Sequence, residues 1–271
     1  MNKVISKDGT TIAFDQSGKG PAIIPVVGAF NDRATGAPLA RFLERQFTVF
    51  NYDRRGRGKS SDTAPYAIER EIEDLDALIA QASGSAYIFG YSSGAILALR
   101  ASAHGLAISQ LALYDPPPTG GRAADLAAQL TELIAAGRRG DAVELFQTEA
   151  VGIPAAVVAQ MRNAPFRPAL EKMAHTLVYE STVLGPLATE LIASVRVPTL
   201  VIDGEGSHPL IRQAAEALAD ALPDGRHRTL KGQGHDIVPD VVGPVLAEFF
   251  KGSADGGPQK TSPRKAIAKG K

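Results

Sequence analysis

Residues 86–104 constrain this chain more than any other stretch. A short β-rich segment (86–89) runs through Gly90-Tyr91-Ser92-Ser93-Gly94 into the helix-forming residues 95–104. A serine at the centre of such a turn must leave a strand and enter a helix within a few residues. That demands strained backbone at the serine and glycine on either side, where neighbouring backbone comes too close for a Cβ. The stretch fits the G-x-S-x-G pattern, in which the serine hydroxyl is thrust above the edge of a sheet. The helix that follows points its positive end at charge developing beside that hydroxyl.

Around this turn the chain alternates between two periodicities. Residues 4–6 and 11–15 flank Lys7-Asp8-Gly9, and an Asp-Gly pair between β-rich runs is a strong hairpin signal. Residues 22–27 form a continuous apolar run ending at Gly28, the pattern of a strand covered on both faces. Residues 39–46 read as a short helix, 47–52 as a strand and 53–61 as a loop. Ile68, Ile72, Leu75, Leu78 and Ile79 recur at helical spacing. Residues 109–114, 199–203 and 227–230 read as further strands, and 209–222 and 241–250 as helices. This alternation implies right-handed crossovers, so the fold class is α/β: a mostly parallel central sheet with helices on both faces. Pro116, Pro117 and Pro118 interrupt the pattern. From Arg122 to about Leu187 no strand is legible, and three or four helices are expected as an insertion after the sixth strand. The reading divides the chain into a core of 1–118 and 188–251, a helical insert of 119–187 and a disordered basic tail of 252–271.

Composition excludes several kinds of chemistry. A chain of 271 residues can bury a full core without staples. It has no cysteine, so thiolate nucleophiles, thiolate metal sites and disulfides are ruled out. Lys plus Arg and Asp plus Glu number 29 each, so no general attraction to nucleic acid or anionic membrane follows. The basic residues after Phe250 read as a solvated tail with no specific partner. No secretory-type apolar stretch opens the sequence, and no run approaches the ~18 apolar residues of a membrane span. The expectation is a cytoplasmic protein whose partner is a small-molecule substrate.

Ser92 is the candidate nucleophile. The backbone N–H of Ser93 is the expected first oxyanion donor. The second is expected from the loop after residues 22–27, where Gly28 permits close approach and Ala29 N–H is the choice. His235 lies after the last strand in Gly232-Gln233-Gly234-His235, the right type and place to take the Ser92 proton. His104 reads as the cap of the helix after the serine, and His227 as part of the last strand. His208 lies near the loop after the seventh strand, and His175 and Tyr179 stand four residues apart on one expected helix. With Phe30 and Tyr91, these three make up the candidate substrate pocket. No metal-ligand spacing occurs, and the chemistry requires no cofactor.

On these residues the chain resembles the α/β-hydrolase superfamily over residues 1 to about 250. The resemblance rests on Gly28-Ala29, on Asp53-Arg54-Arg55-Gly56-Arg57-Gly58-Lys59-Ser60, on the Ser92 turn and on the loop ending at His235. It implies that 119–187 is a cap over the nucleophile, and that nucleophile, acid and histidine follow in that order along the chain. The loop 53–60 is expected to be structural, its glycines setting turns and its arginines pairing locally. The usual acid position falls on Ser207, so the carboxylate has to come from elsewhere. Some superfamily members carry it after the sixth strand. Asp115 occupies that position, Glu205 is the alternative acid, and Asp203 and Asp236 are weaker candidates. A serine at the turn excludes the aspartate-based dehalogenases and epoxide hydrolases of the superfamily. The implied activity is cleavage of an ester, lactone or related acyl bond of a small, fairly hydrophobic substrate. A cofactor-free perhydrolase, or a non-catalytic ligand-binding protein on the same scaffold, are the alternatives.

Overall fold

The computed structural model describes residues 1–252; the expected basic tail lies outside the described residues from 253 onward. Eight strands form one sheet. In spatial order they are β1 (Asn2–Ile5), β2 (Thr11–Ser17), β4 (Thr48–Tyr52), β3 (Ala22–Val26), β5 (Ala86–Tyr91), β6 (Ile108–Tyr114), β7 (Thr199–Gly204) and β8 (Gly225–Leu230). β1 and β2 are the expected antiparallel hairpin, and β2 joins β4 antiparallel. Every other pairing is parallel.

The central strands are apolar on both sides because helices cover both faces. Ile24, Ile88, Leu111 and Val201 face α2 (Ile68–Gln81), α3 (Ser93–Ala103) and α10 (Pro209–Ala221). Their neighbours Ile23, Phe89, Ala112 and Ile202 face α1 (Arg33–Leu43) and α11 (Pro239–Gly252). The alternation follows from the two-residue period of a strand. Each fully buried Ile, Leu or Phe contributes about 1.5–3 kcal/mol. This double-sided core fixes the carboxyl edge of the sheet, where ligands of open α/β sheets gather.

Two sequence expectations change. α1 starts at Arg33, six residues before the expected helix, although Gly36 and Pro38 lie within it. Asp32 makes the early start: its carboxylate accepts from Ala34 N–H and Thr35 N–H, groups the helix itself leaves unpaired. The insert holds five α-helices rather than three or four: α4 (Ala123–Ala135), α5 (Arg139–Glu149), α6 (Ala155–Gln160), α7 (Arg167–Lys172) and α8 (Thr176–Val183). A 3-10 turn, Met161–Asn163, follows α6, and α9 (Thr189–Ser194) comes after the insert. Glycine and proline at 152, 154, 165 and 168 cut the later part into one- and two-turn pieces.

The insert has an apolar centre of its own. Leu126, Leu130, Val143, Phe146 and Leu177 pack together and against Ala29 and Phe30 of the loop after β3. It is tied to the sheet layers at α8. Val183 joins the core under α3, and Arg100 of α3 donates to the carbonyls of Val183, Gly185 and Pro186. Among the described residues no helix is long and apolar enough to cross a membrane.

Candidate active site

Ser92 occupies the strand-to-helix turn between β5 and α3 with φ 55° and ψ −129°, a region that L-residues rarely adopt. Its N–H donates to Tyr114 O at 2.9 Å, which pins the turn to the end of β6. A Cβ on Gly90 would stand 2.5 Å from Ala95 Cα, and one on Gly28 would stand 2.8 Å from Ser92 Cβ. Glycine at those positions is what lets the loop after β3 and the start of α3 close on the serine. Phe30 and Asp115 also have positive φ, at 59° and 49°. Three of the four non-glycine residues with positive φ among the described residues thus lie on the loops around Ser92. Strain of this kind costs about 1–3 kcal/mol per residue and clusters where function demands it.

Asp115 follows β6 and is fully buried. Its Oδ2 lies 2.9 Å from His235 Nδ1 and accepts from Ser207 Oγ at 2.6 Å. Its Oδ1 accepts from Gly204 N at 3.1 Å. These bonds orient the carboxylate from two loops. They also assign the imidazole proton to Nδ1 and leave Nε2 as the acceptor. The ring sits on the serine turn, its centroid 5.1 Å from that of Tyr91. Among the described residues the Ser92 hydroxyl makes no hydrogen bond to it, a contact that commonly tightens only around substrate. Glu205 is exposed and accepts from Gly232 N at 2.9 Å, which braces the glycine-rich loop beside His235. Asp203 is buried against His227 Nε2 at 2.7 Å, and Asp236 is exposed.

Ser93 opens α3, so its N–H is one of the first donors of a helix and has no partner within that helix. Ala29 N–H donates to Ser93 Oγ at 3.1 Å, which ties the loop after β3 to the first residue of α3. The loop carrying Ala29 is gripped from the side of residues 53–60. Arg54 Nη1 donates to Val27 O at 3.1 Å, and Arg57 Nη1 donates to Gly28 O at 2.7 Å. Arg55 pairs with Asp74 of the following helix and, 47 positions away, with Asp8 of the β1–β2 turn. Arg54 and Arg57 reach further, to Glu180 on α8.

The candidate pocket residues divide. Tyr91 is buried beside His235, and Phe30 packs edge-on to Phe146 at 5.6 Å. The other three are engaged elsewhere. His175 precedes α8 rather than lying within it, and its ring contacts Arg139 at 3.1 Å. Burial holds its pKa below the ordinary histidine value, although Asp62 pulls the other way. Tyr179 stacks on Tyr66 at 3.8 Å and donates to Asp62 at 2.6 Å. His208 is exposed and caps α10, accepting from Leu210 N at 3.3 Å. Ser207 is the residue that sequence reasoning misses. It marks an absent carboxylate in the sequence, yet its hydroxyl bonds the carboxylate that pairs with His235.

A serine in a strained turn after the fifth strand of an eight-stranded, mostly parallel sheet defines an α/β-hydrolase fold. Residues 28–243 match the model of the alpha/beta hydrolase family, and the chain belongs to that family. An alpha/beta hydrolase from Sphaerobacter thermophilus, known from its crystal structure, is 51% identical with a TM-score of 0.85, over 92% of this chain and 100% of that one. N-formylmaleamate deformylase of Pseudomonas putida is 29% identical over 86% of this chain and 88% of that protein. The uncharacterized hydrolase YraK of Bacillus subtilis is 33% identical over 36% of this chain, and the match spans 38% of that relative's length.

Proposed function

We propose that this protein is a serine hydrolase. It cleaves a carboxylic ester, lactone or related acyl bond of a small, fairly hydrophobic substrate through an acyl-enzyme on Ser92. One observation carries the reading: His235, held at Nδ1 by the buried Asp115 carboxylate, lies against the strained turn that presents Ser92. Ser92 Oγ attacks the acyl carbon while His235 Nε2 takes its proton. The N–H groups of Ser93 and Ala29 stabilise the oxyanion, Ala29 N–H exchanging its bond to Ser93 Oγ for one to the developing charge. The tetrahedral species collapses, the alcohol leaves with the proton from His235, and Ser92 stays acylated. Water, deprotonated by His235, then releases the acid. Asp115 orients the ring and stabilises the imidazolium. It is favoured over Glu205, whose carboxylate is spent on Gly232.

The insert acts as a cap in this reading. Its apolar centre meets the oxyanion loop at Phe30. A cavity of about 210 Å3 lies between the loop after Asp115 and the insert, where Pro117, Pro118, Leu126 and Leu184 share the lining with Arg122, Gln129, Glu149 and Ser181. Ser92 and His235 are not part of that lining, so the cavity does not mark the reacting centre. The deformylase relative supports an acyl bond as the target.

The test is hydrolysis of p-nitrophenyl esters from acetate to octanoate by wild type and Ser92→Ala, with fluorophosphonate labelling alongside. Turnover and labelling by wild type, both lost in the variant, is the expected result. No turnover together with no labelling of wild type would overturn the reading.

A further inference from the structure

The carbonyls of the oxyanion loop are held by side chains. Arg54 Nη1 takes Val27 O, and Asn31 Nδ2 takes Ala29 O at 2.6 Å. Arg57 Nη1 takes both Gly28 O, at 2.7 Å, and Asn31 O, at 3.1 Å. For Ala29 this has a geometric consequence. In a planar trans peptide the C=O and the N–H point in opposite directions. Gly28 C=O and Ala29 N–H belong to one such unit. Holding the carbonyl on Arg57 aims the N–H away from the guanidinium, toward the serine turn, where it meets Ser93 Oγ.

Charge acts in the same sense. A guanidinium stays protonated, and a cation on a peptide oxygen strengthens the N–H on the other side as a donor. The charge is balanced from the insert. Glu180 of α8 accepts from Arg57 Nη2 and forms an ion pair with Arg54 Nη1 at 2.8 Å, and Glu71 of α2 takes the other edge of Arg54 in a bidentate pair. All four side chains are buried. Arg57 Nε and Glu180 Oε2 are buried without a hydrogen-bond partner among the described residues. A buried ion cluster with unmet polar atoms is a poor source of stability. What it does fix is the orientation of the peptides it touches.

We propose that Arg57, held by Glu180, is a positioning residue that orients and polarises the Gly28–Ala29 peptide, so that oxyanion stabilisation depends on how α8 is seated. The proposal rests on the acyl-transfer reading of the site. Arg57 touches no reacting atom and acts through Ala29 N–H.

The experiment compares wild type, Arg57→Met/Glu180→Gln, Arg57→Lys, and Arg55→Met/Asp74→Asn. The first double variant removes both charges of the pair, so neither is left alone in the interior. The last removes an equally buried bidentate pair, Arg55 with Asp74 at 2.8 and 2.7 Å, that bonds no carbonyl of the oxyanion loop. Two readouts are taken. The first is the Ala29 amide signal in 1H–15N spectra, which needs no turnover. It moves upfield in Arg57→Met/Glu180→Gln and stays in place in Arg55→Met/Asp74→Asn. The second is kinetic. In the Arg57 double variant kcat for a p-nitrophenyl ester falls on the order of 10- to 100-fold, with KM within about twofold. Affinity for an alkyl trifluoromethyl ketone, which forms a tetrahedral adduct, falls by the same factor as kcat/KM. Arg57→Lys keeps the charge and retains part of the lost kcat. An Ala29 signal that does not move overturns the proposal. So does a loss of activity shared equally by both double variants, or a rise in KM with kcat unchanged. A wild type without ester turnover would sink the hydrolase reading, and the Ala29 signal would still decide the orientation. Should the double variant not fold, Arg57→Lys carries both readouts: a wild-type Ala29 signal with wild-type kcat overturns the proposal.

Discussion

Asp115→Asn isolates the charge behind His235. The two side chains are nearly isosteric, and the substitution spares the surrounding packing. The Gly204 N–H still finds the amide oxygen, and the Ser207 hydroxyl can turn to accept from the new NH2 group. What changes is the stabilisation of the imidazolium formed during attack. Unit charges 2.9 Å apart interact by about 6 kcal/mol at an effective dielectric constant near 20. His235 is 39% exposed, so water screens part of this and about 4–5 kcal/mol remains. That range corresponds to a loss of roughly 10³- to 10⁴-fold in kcat. The NH2 group adds a second defect, since donating to Nδ1 forces the ring proton onto Nε2, where no base is left. The assay is stopped-flow release of p-nitrophenol from the butyrate ester in the first turnover, with calorimetry to verify that the variant is folded. Glu205→Gln, measured beside it, stays within about threefold of wild type. A first turnover of Asp115→Asn within about tenfold of wild type, with the large loss in Glu205→Gln instead, would refute the assignment and move the acid to the loop after β7.

Two further outcomes are expected. Ser207→Ala removes a 2.6 Å bond to the Asp115 carboxylate and should lower kcat on the order of tenfold with KM unchanged, since bonds to charged groups are worth about 1.5–3 kcal/mol and only part reaches the ring; wild-type kcat in that variant would remove Ser207 from the site. Asp8→Asn reports on acid stability. Burial pushes the Asp8 carboxyl up, but bonds from Arg55 and Thr10 outweigh it and hold the pKa at about 2. A folded-state value below the unfolded one stabilises the protein above the unfolded pKa and loses that effect as the pH falls, here between about 4 and about 2. The Tm gap between wild type and Asp8→Asn should therefore close across that window, and a gap that stays constant would show that the Arg55 contact is not its source.

The parts legible in the sequence are those encoded locally. The Ser92 turn is written in five consecutive residues, and the strands and core helices show their periods over short windows. α1 is half hidden because Gly36 and Pro38 look like a loop, while the Asp32 cap that starts the helix is a single residue. The insert is legible as helical but not in its subdivision, since one-turn helices leave too few residues to show a period. Asp115 and Glu205 compete in the sequence because both follow strands at the carboxyl edge. Only the fold says which one meets a ring 120 positions away. The arginines of residues 53–60 show the same limit. Arg55 finds Asp74 on the next helix, as local pairing suggests, but Arg57 finds Glu180 across 123 positions, and no period or motif announces that partner.

The buried pairing also bears on whether the inserted helices could be exchanged. Glu180 supplies one of the two carboxylates that face Arg54 and Arg57. Excising the segment, or transplanting a foreign one at the same joints, would leave two guanidinium groups against Glu71 alone. An uncompensated buried cation is strongly destabilising. A graft therefore has to bring its own carboxylate to the place Glu180 occupies, or be accompanied by neutral replacement of an arginine in the core. Recombination of this segment is a two-site event, and a library that shuffles the insert without touching residues 54 and 57 should return few folded clones.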